Sequence, residues 1–159
     1  MNNRTVAFGI LVLRVAMGAF FLNEARHQLE GGWLGGDGLQ RMLTDALDHN
    51  TIPSPYRWFL EHTVLEHDQL LTVLTILGEV GVGTALILGM LTRLTCLVAL
   101  SMNVNFLLFN DTQGRIVDAA FAVGELVLLA FAAKQALSVD GWLWRRGVRL
   151  PYAMAGSQT

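Results

Sequence analysis

Apolar residues gather into four long runs, separated by polar breaks that differ greatly in length. The most continuous run is Leu70 to Leu91, 22 residues in which Glu79 is the one formal charge. At about 1.5 Å per residue, such a helix covers the roughly 30 Å of bilayer hydrocarbon. The pattern predicts spans at about 5–23, 70–91, 91–110 and 115–133, with sharp turns at Gly89-Met90 and at Asn110–Gly114. Short second and third connections predict antiparallel neighbours. The expected fold is therefore all-α, an integral membrane four-helix bundle.

The first connection, residues 24–68, is too long for a turn. It opens on Gly31-Gly32 and Gly35-Gly36 around Trp33. Leu39, Met42, Leu43, Ala46 and Leu47 then fall on one stripe of a short amphipathic helix that Asp37 can cap. Pro53-Ser54-Pro55 ends it. A second short segment, Tyr56 to Leu65, carries Tyr56, Trp58 and Phe59, residues suited to the headgroup layer. After the fourth span, residues 134–159 read as a tail whose Trp142, Trp144, Arg145 and Arg146 anchor it at the interface.

Composition agrees with a membrane. Residues are 53% hydrophobic and 15% charged, against about 25% charged in soluble domains. The net charge of −2 and the lack of a basic stripe argue against nucleic acid. One cysteine, Cys96, excludes an internal disulfide and a cysteine-held cluster. The first apolar run is long for a secretion signal and is broken by Arg14, so it reads as a retained span. Lys and Arg set the orientation. Arg4, Arg93, Lys134, Arg145, Arg146 and Arg149 fall on one side; Arg26, Arg41, Arg57 and Arg115 spread over the longer loops of the other. Both termini are expected in the cytoplasm, with 24–68 on the outer face.

Four ionisable residues fall inside the spans: Arg14, Glu79, Asp118 and Glu125. A charge at the centre of a span costs about 2.5–3.5 kcal/mol even on the lenient insertion scale, so these should face the bundle interior. Counted from the outer ends, Arg14, Glu79 and Glu125 share a layer about 13–16 Å deep, and Asp118 is about 6 Å deep. Arg14 with Glu79 is the expected ion pair. It either pins the helices in register or leaves a second acid, Glu125 or Asp118, to hold and pass protons. Asp111, Asp118 and Glu125 recur every seven residues, a spacing that suits a proton path and equally a polar bundle interior.

On span three, Ser101 and Asn105 lie one turn apart, with Asn103 on another face. They read as interhelical hydrogen-bonding groups, or as donors to a quinone carbonyl or an anion. His27, His49, His62 and His67 all fall in the outer segment, at spacings that match no compact metal-ligand motif. No haem, flavin or iron–sulfur motif is present. Phe20–Glu24 beside Leu107–Asp111, and Gly78-Glu79 beside Gly124-Glu125, suggest a duplicated two-helix unit.

The chain resembles the DoxX/DoxD family, which includes the small membrane subunit of thiosulfate:quinone oxidoreductase. The resemblance rests on Leu13-Arg14 with Gly18 and Phe21, on Gly78-Glu79-Val80-Gly81-Val82-Gly83, on Leu88-Gly89-Met90-Leu91-Thr92-Arg93, and on Leu137-Ser138-Val139-Asp140. Pro53 to Val64 is similar to the DoxD-type subunits. Where many members have a Gly-x-x-Lys-like stretch after span one, this chain has Asn23-Glu24-Ala25-Arg26-His27.

The resemblance implies a protein of the bacterial cytoplasmic membrane that works with quinone as a diffusible co-substrate. Thiosulfate or a related small reductant would be oxidised on the outer side, alone, as a homo-oligomer or with a second redox subunit. Arg14, Glu79, Glu125 and Asp118 are the candidate catalytic residues; Arg26, Arg57, Arg93, Arg115 and Asn105 are candidates for substrate binding. One observation opposes a dianionic substrate: residues 24–68 hold eight acids and three arginines. Two non-redox readings remain, an accessory or assembly subunit and a small-solute carrier.

Overall fold

The computed structural model describes residues 3–131 and 138–146, and within these there is helix and no strand. Helices α1 (Asn3–Glu30), α2 (Gly38–His49), α3 (Ser54–Phe59), α4 (Asp68–Leu88), α5 (Thr92–Phe109), α6 (Thr112–Ala130) and α7 (Val139–Arg145) follow in order. A π-helical turn, Leu60–Val64, and a 3-10 turn, Leu65–His67, join α3 to α4 without a break. Lys134, Leu137, Arg149 and the rest of the expected tail beyond 146 lie outside the described residues, as does the side chain of Arg145.

Three stretches are long and apolar enough to cross a membrane: Arg4–Glu30, Ser54–Leu88 and Thr92–Phe109. Helix α6 has 19 residues and carries Arg115, Asp118 and Glu125. Apolar side chains point outward all along these helices, with Phe8, Leu77 and Ile116 more than 60% exposed. Buried polar groups occupy the opposite faces. In water this distribution would be unstable; hydrocarbon inverts the preference.

The most extensive packing is α1 against α4 and α5 against α6; α4 also touches α5, and α1 touches α6. The α1–α4 crossing is set by two glycines. A Cβ on Gly18 would stand 2.7 Å from the Gly83 carbonyl oxygen, and one on Gly83 would stand 2.8 Å from that of Gly18. Gly81, by contrast, meets nothing within 4 Å. Close backbone approach is the way helices associate where no hydrophobic effect separates them from lipid. Gly83→Leu is therefore expected to lower the thermal unfolding midpoint in detergent, at a cost of about 1–3 kcal/mol for overpacking. Gly81→Leu serves as the neutral control, and equal midpoints for the two variants would refute this account.

Around the crossing, Ile10, Met17, Phe21, Val82, Leu86, Cys96, Ala99 and Leu128 form one core. A second core sits at the opposite end from the chain's N-terminus, where α2 lays Leu39, Leu43, Ala46 and Leu47 against Leu60 and Phe109. The amphipathic stripe read from the sequence is the buried face of α2.

Candidate functional site

Three buried carboxylates lie between the helices, and each is met by a carboxamide rather than a cation. Gln28 Nε2 on α1 donates to Glu79 Oε1 on α4 at 2.7 Å. Asn103 Nδ2 on α5 donates to Glu125 Oε1 on α6 at 2.5 Å. Asn110 Nδ2 donates to Asp118 Oδ2 at 2.7 Å. Glu79, Glu125 and Asp118 are all buried, and Glu79 Oε2 and Glu125 Oε2 have no hydrogen-bond partner among the described residues.

Helix geometry explains the first two pairings. Side chains tilt toward the N-terminus of their own helix. On antiparallel neighbours, Gln28 near the end of α1 leans back along α1 while Glu79 leans toward the start of α4, and they meet. Asn103 and Glu125 meet in the same way on the antiparallel α5 and α6. Each two-helix unit thus buries one glutamate under a carboxamide of its own partner helix.

The expected Arg14–Glu79 pair is not formed, and the same tilt is the reason. Arg14 leans toward the N-terminus of α1, away from Glu79. Its guanidinium lies against Gly89, where a Cβ would come within 2.7 Å of Arg14 Cζ, and the Asp140 carboxylate attracts it. Asp140 in turn closes the inner turn. Its Oδ1 accepts from the Leu91 amide at 2.8 Å, and its Oδ2 accepts from the Thr92 amide at 2.8 Å and the Thr92 hydroxyl at 3.0 Å. Gly89 and Leu91 both take left-handed backbone there, φ +65° and +51°. The Gly89–Arg93 and Ser138–Asp140 motifs are therefore two halves of one structural knot.

At the end of the bundle covered by α2, a cavity of about 230 Å³ opens between α1, α4, α5 and α6. Phe20, Phe21, Phe106, Trp33 and Met42 form its apolar wall. Its polar lining is Glu24, His27, Gln28, Glu79, Asn103 and Asp118. The described lining contains three acids and no arginine or lysine. Glu125 is one hydrogen bond further in, behind Asn103.

The other candidate residues do not meet in this cavity. Arg26 is exposed and pairs with Glu30 at 2.7 Å; Arg57 pairs with Glu61 at 2.9 Å. Arg115 Nη2 donates to the Thr51 carbonyl at 2.6 Å. Arg93 stands in the first turn of α5, at the inner end. Asn105 is exposed and its Oδ1 accepts from the Tyr56 hydroxyl at 3.1 Å. Of the two span-three asparagines, Asn103 is the one in the cavity. His49, His62 and His67 each turn a ring nitrogen to the carbonyl four residues back, and no group of three metal-ligating side chains occurs among the described residues.

Gln28, Asn103 and Asn110 complete the buried acids; Asn103 reads from the sequence as an interhelical hydrogen-bonding group, whereas Gln28 and Asn110 carry no such signal. Gln28 counted as loop because span one was ended at Asn23, whereas α1 continues to Glu30.

A carboxamide changes what a buried acid can do. Arginine satisfies only a carboxylate. A carboxamide has a donor and an acceptor on one swivel, so it can serve a carboxylate or a carboxylic acid. An acid held this way can take and release a proton without losing its partner.

No curated protein and no solved structure matches the chain. A family model described as "TQO small subunit DoxD" matches residues 9–152. That interval takes in the α1–α4 crossing, the inner knot and every side chain of the cavity, and on it the chain belongs to the DoxD family of thiosulfate:quinone oxidoreductase small subunits.

Proposed function

We propose that this chain is a quinone-reducing membrane subunit in which the quinone ring occupies the outer cavity. Helices α1, α4, α5 and α6 would cross the bacterial cytoplasmic membrane as a four-helix bundle, with both termini inside and α2–α3 outside. The observation that carries the reading is the cavity itself: aromatic walls, buried acids on carboxamide swivels, and a position at the outer ends of the spans.

Quinone takes up two electrons and two protons to become quinol. In this reading Glu79 and Asp118 deliver protons at the cavity wall, and Glu125 is the buried acid behind them, held by the Asn103 amide. Glu24 and His27, at the outer end of α1, connect the site to water. Arg14 acts through the inner knot, and Arg93 beside it belongs to the same end.

The electrons come from a small reductant on the outer side, thiosulfate in the family's namesake reaction. Two thiosulfates joining as tetrathionate release the two electrons that quinone accepts. A dianion is repelled by an acid-lined cavity. The reductant is therefore oxidised elsewhere, at a partner subunit or at an outer surface where Arg26, Arg57 and Arg115 stand, and only its electrons reach the quinone.

Gentle purification followed by native mass spectrometry and lipid extraction tests this directly. Quinone should co-purify in near-stoichiometric amount, and Phe106→Ala with Trp33→Ala should shed it. A wild-type protein with no quinone and no response to added quinone would sink the proposal. The acid lining also suits a small organic cation, and that second reading predicts uptake into proteoliposomes that contain no quinone.

A further inference from the structure

We infer that lipid-dissolved quinone enters the cavity between α1 and α6, through a side-chain gate made by Phe20 and Phe121; this rests on the quinone reading above. A cavity inside a helix bundle has few exits, and here each seam is closed by something different.

The α1–α4 seam is closed by backbone. Gly18 and Gly83 stand so near one another that neither has room for a Cβ, so no side chain there can swing aside. The α5–α6 seam is extensively packed, and the Asn103–Glu125 hydrogen bond crosses it. At the end covered by α2, Trp33 and Met42 roof the cavity. The strap that carries Trp33 is tied down by Gln69. Its Oε1 accepts from the Gly35 amide at 3.0 Å, and its Nε2 donates to the Gly36 carbonyl.

The α1–α6 seam is the least packed of the four between neighbouring long helices, and a pair of rings closes it. Phe20 of α1 lies on Phe121 of α6, with ring centroids 3.9 Å apart and planes 25° from parallel. Phe20 lines the cavity and Phe121 does not. Both are half-buried, and Val117, one turn before Phe121, is exposed. The pair therefore stands between the chamber and the apolar surface of the bundle.

Such a closure opens cheaply. Side chains near a surface change rotamer quickly, whereas a backbone crossing yields only when whole helices move. Stacked rings are also held by an interaction that an incoming ring reproduces. A planar quinone passing between Phe20 and Phe121 trades one stack for another, and its head group stays in apolar surroundings. The rival route is the α4–α5 seam, where the Met102 thioether faces Gly78 beside an open groove lined by Gly78, Gly81 and Val98. Met102 has no flat face to offer a ring, and it is not among the cavity's lining residues.

The test uses the full-length protein in nanodiscs, with Trp58, Trp142 and Trp144 replaced by Phe. Quenching of Trp33 in the cavity wall then reports decylubiquinone binding by stopped flow. A gate slows association and dissociation alike and leaves affinity alone. Phe121→Ala should raise both rates together, at least about fivefold, with the dissociation constant within about twofold of the parent. Phe121→Leu keeps the apolar bulk and removes the flat ring. It should raise both rates at least about threefold, and it carries the test if the alanine variant does not fold. Met102→Ala and Gln69→Ala should leave both rates unchanged. Phe121 variants at the parent rates overturn the inference, and acceleration by Met102→Ala or Gln69→Ala in their place puts the entrance between α4 and α5 or under the strap. A Phe121 variant that loses affinity at an unchanged association rate also overturns it, because the ring then belongs to the binding site. A parent protein that binds no quinone overturns the quinone reading as well.

Discussion

Glu79→Gln is expected to lower quinone reduction at least about a hundredfold while the protein still inserts, folds and unfolds near the wild-type temperature. Positioned acid–base groups typically contribute about 10²–10⁴ to rate, and this substitution removes the exchangeable proton while keeping the shape. The Gln28 hydrogen bond survives it, because an amide oxygen can accept from Gln28 Nε2 as Glu79 Oε1 does now. That separation of chemistry from packing is what makes the variant informative. Turnover within threefold of wild type would remove Glu79 from the proton path. Loss of folded protein in membranes would instead show that the buried acid is there to hold α1 to α4.

Gly89→Ala is expected to have the larger effect on stability, with almost none of the folded protein surviving extraction. The backbone at Gly89 is left-handed, φ +65°, which costs a non-glycine residue roughly 1–2 kcal/mol. The new Cβ would also stand 2.5 Å from Ser138 Cβ and 2.7 Å from Arg14 Cζ. Arg14 is 2% exposed, and displacing a buried charge from its partners costs about 3–5 kcal/mol. Thermal aggregation of the detergent-solubilised variant is the measurement. A midpoint within about 2 °C of wild type would show that the knot yields freely, against the structure described here. Asp140→Asn should be milder, since one amide oxygen can keep part of the clamp on Leu91 and Thr92.

The sequence carried the helices better than the site. Apolar length alone announces α4 and α5, because hydrocarbon thickness leaves few alternatives. The end of α1 was not legible in that way. Beyond Asn23 the residues turn polar, and polarity in a membrane protein signals the end of the bilayer, not the end of a helix. Gln28 was lost with that distinction.

Asn103 was legible as an interhelical hydrogen-bonding group, and it is one, to Glu125. Thr92, Thr95, Cys96, Ala99 and Asn103 follow helical spacing on α5, and all are buried. The small side chains of that stripe mark the packed face, so its asparagine points inward and the flanking Ser101 and Asn105 do not. Arg14 failed for a different reason. Depth counted along the helix axis places Cα atoms in layers, but a long side chain reaches one turn toward its own N-terminus. Opposite tilts on antiparallel helices carried Gln28 to Glu79 and carried Arg14 away from it.

Of the two helices that meet at Gly18 and Gly83, α1 is longer than a bilayer's hydrocarbon is thick. Helix α1 has 28 residues and α4 has 21, contours of about 42 Å and 32 Å against roughly 30 Å of hydrocarbon. The surplus of α1 is its polar end, the turns bearing Glu24, His27 and Gln28. A chamber built there lies where the polar turns of α1 begin, between the apolar flank of the bundle and its polar end. On the quinone reading, a greasy carrier would enter from the lipid while protons arrive from the water at the polar end of α1, so helix length would fix where the two meet.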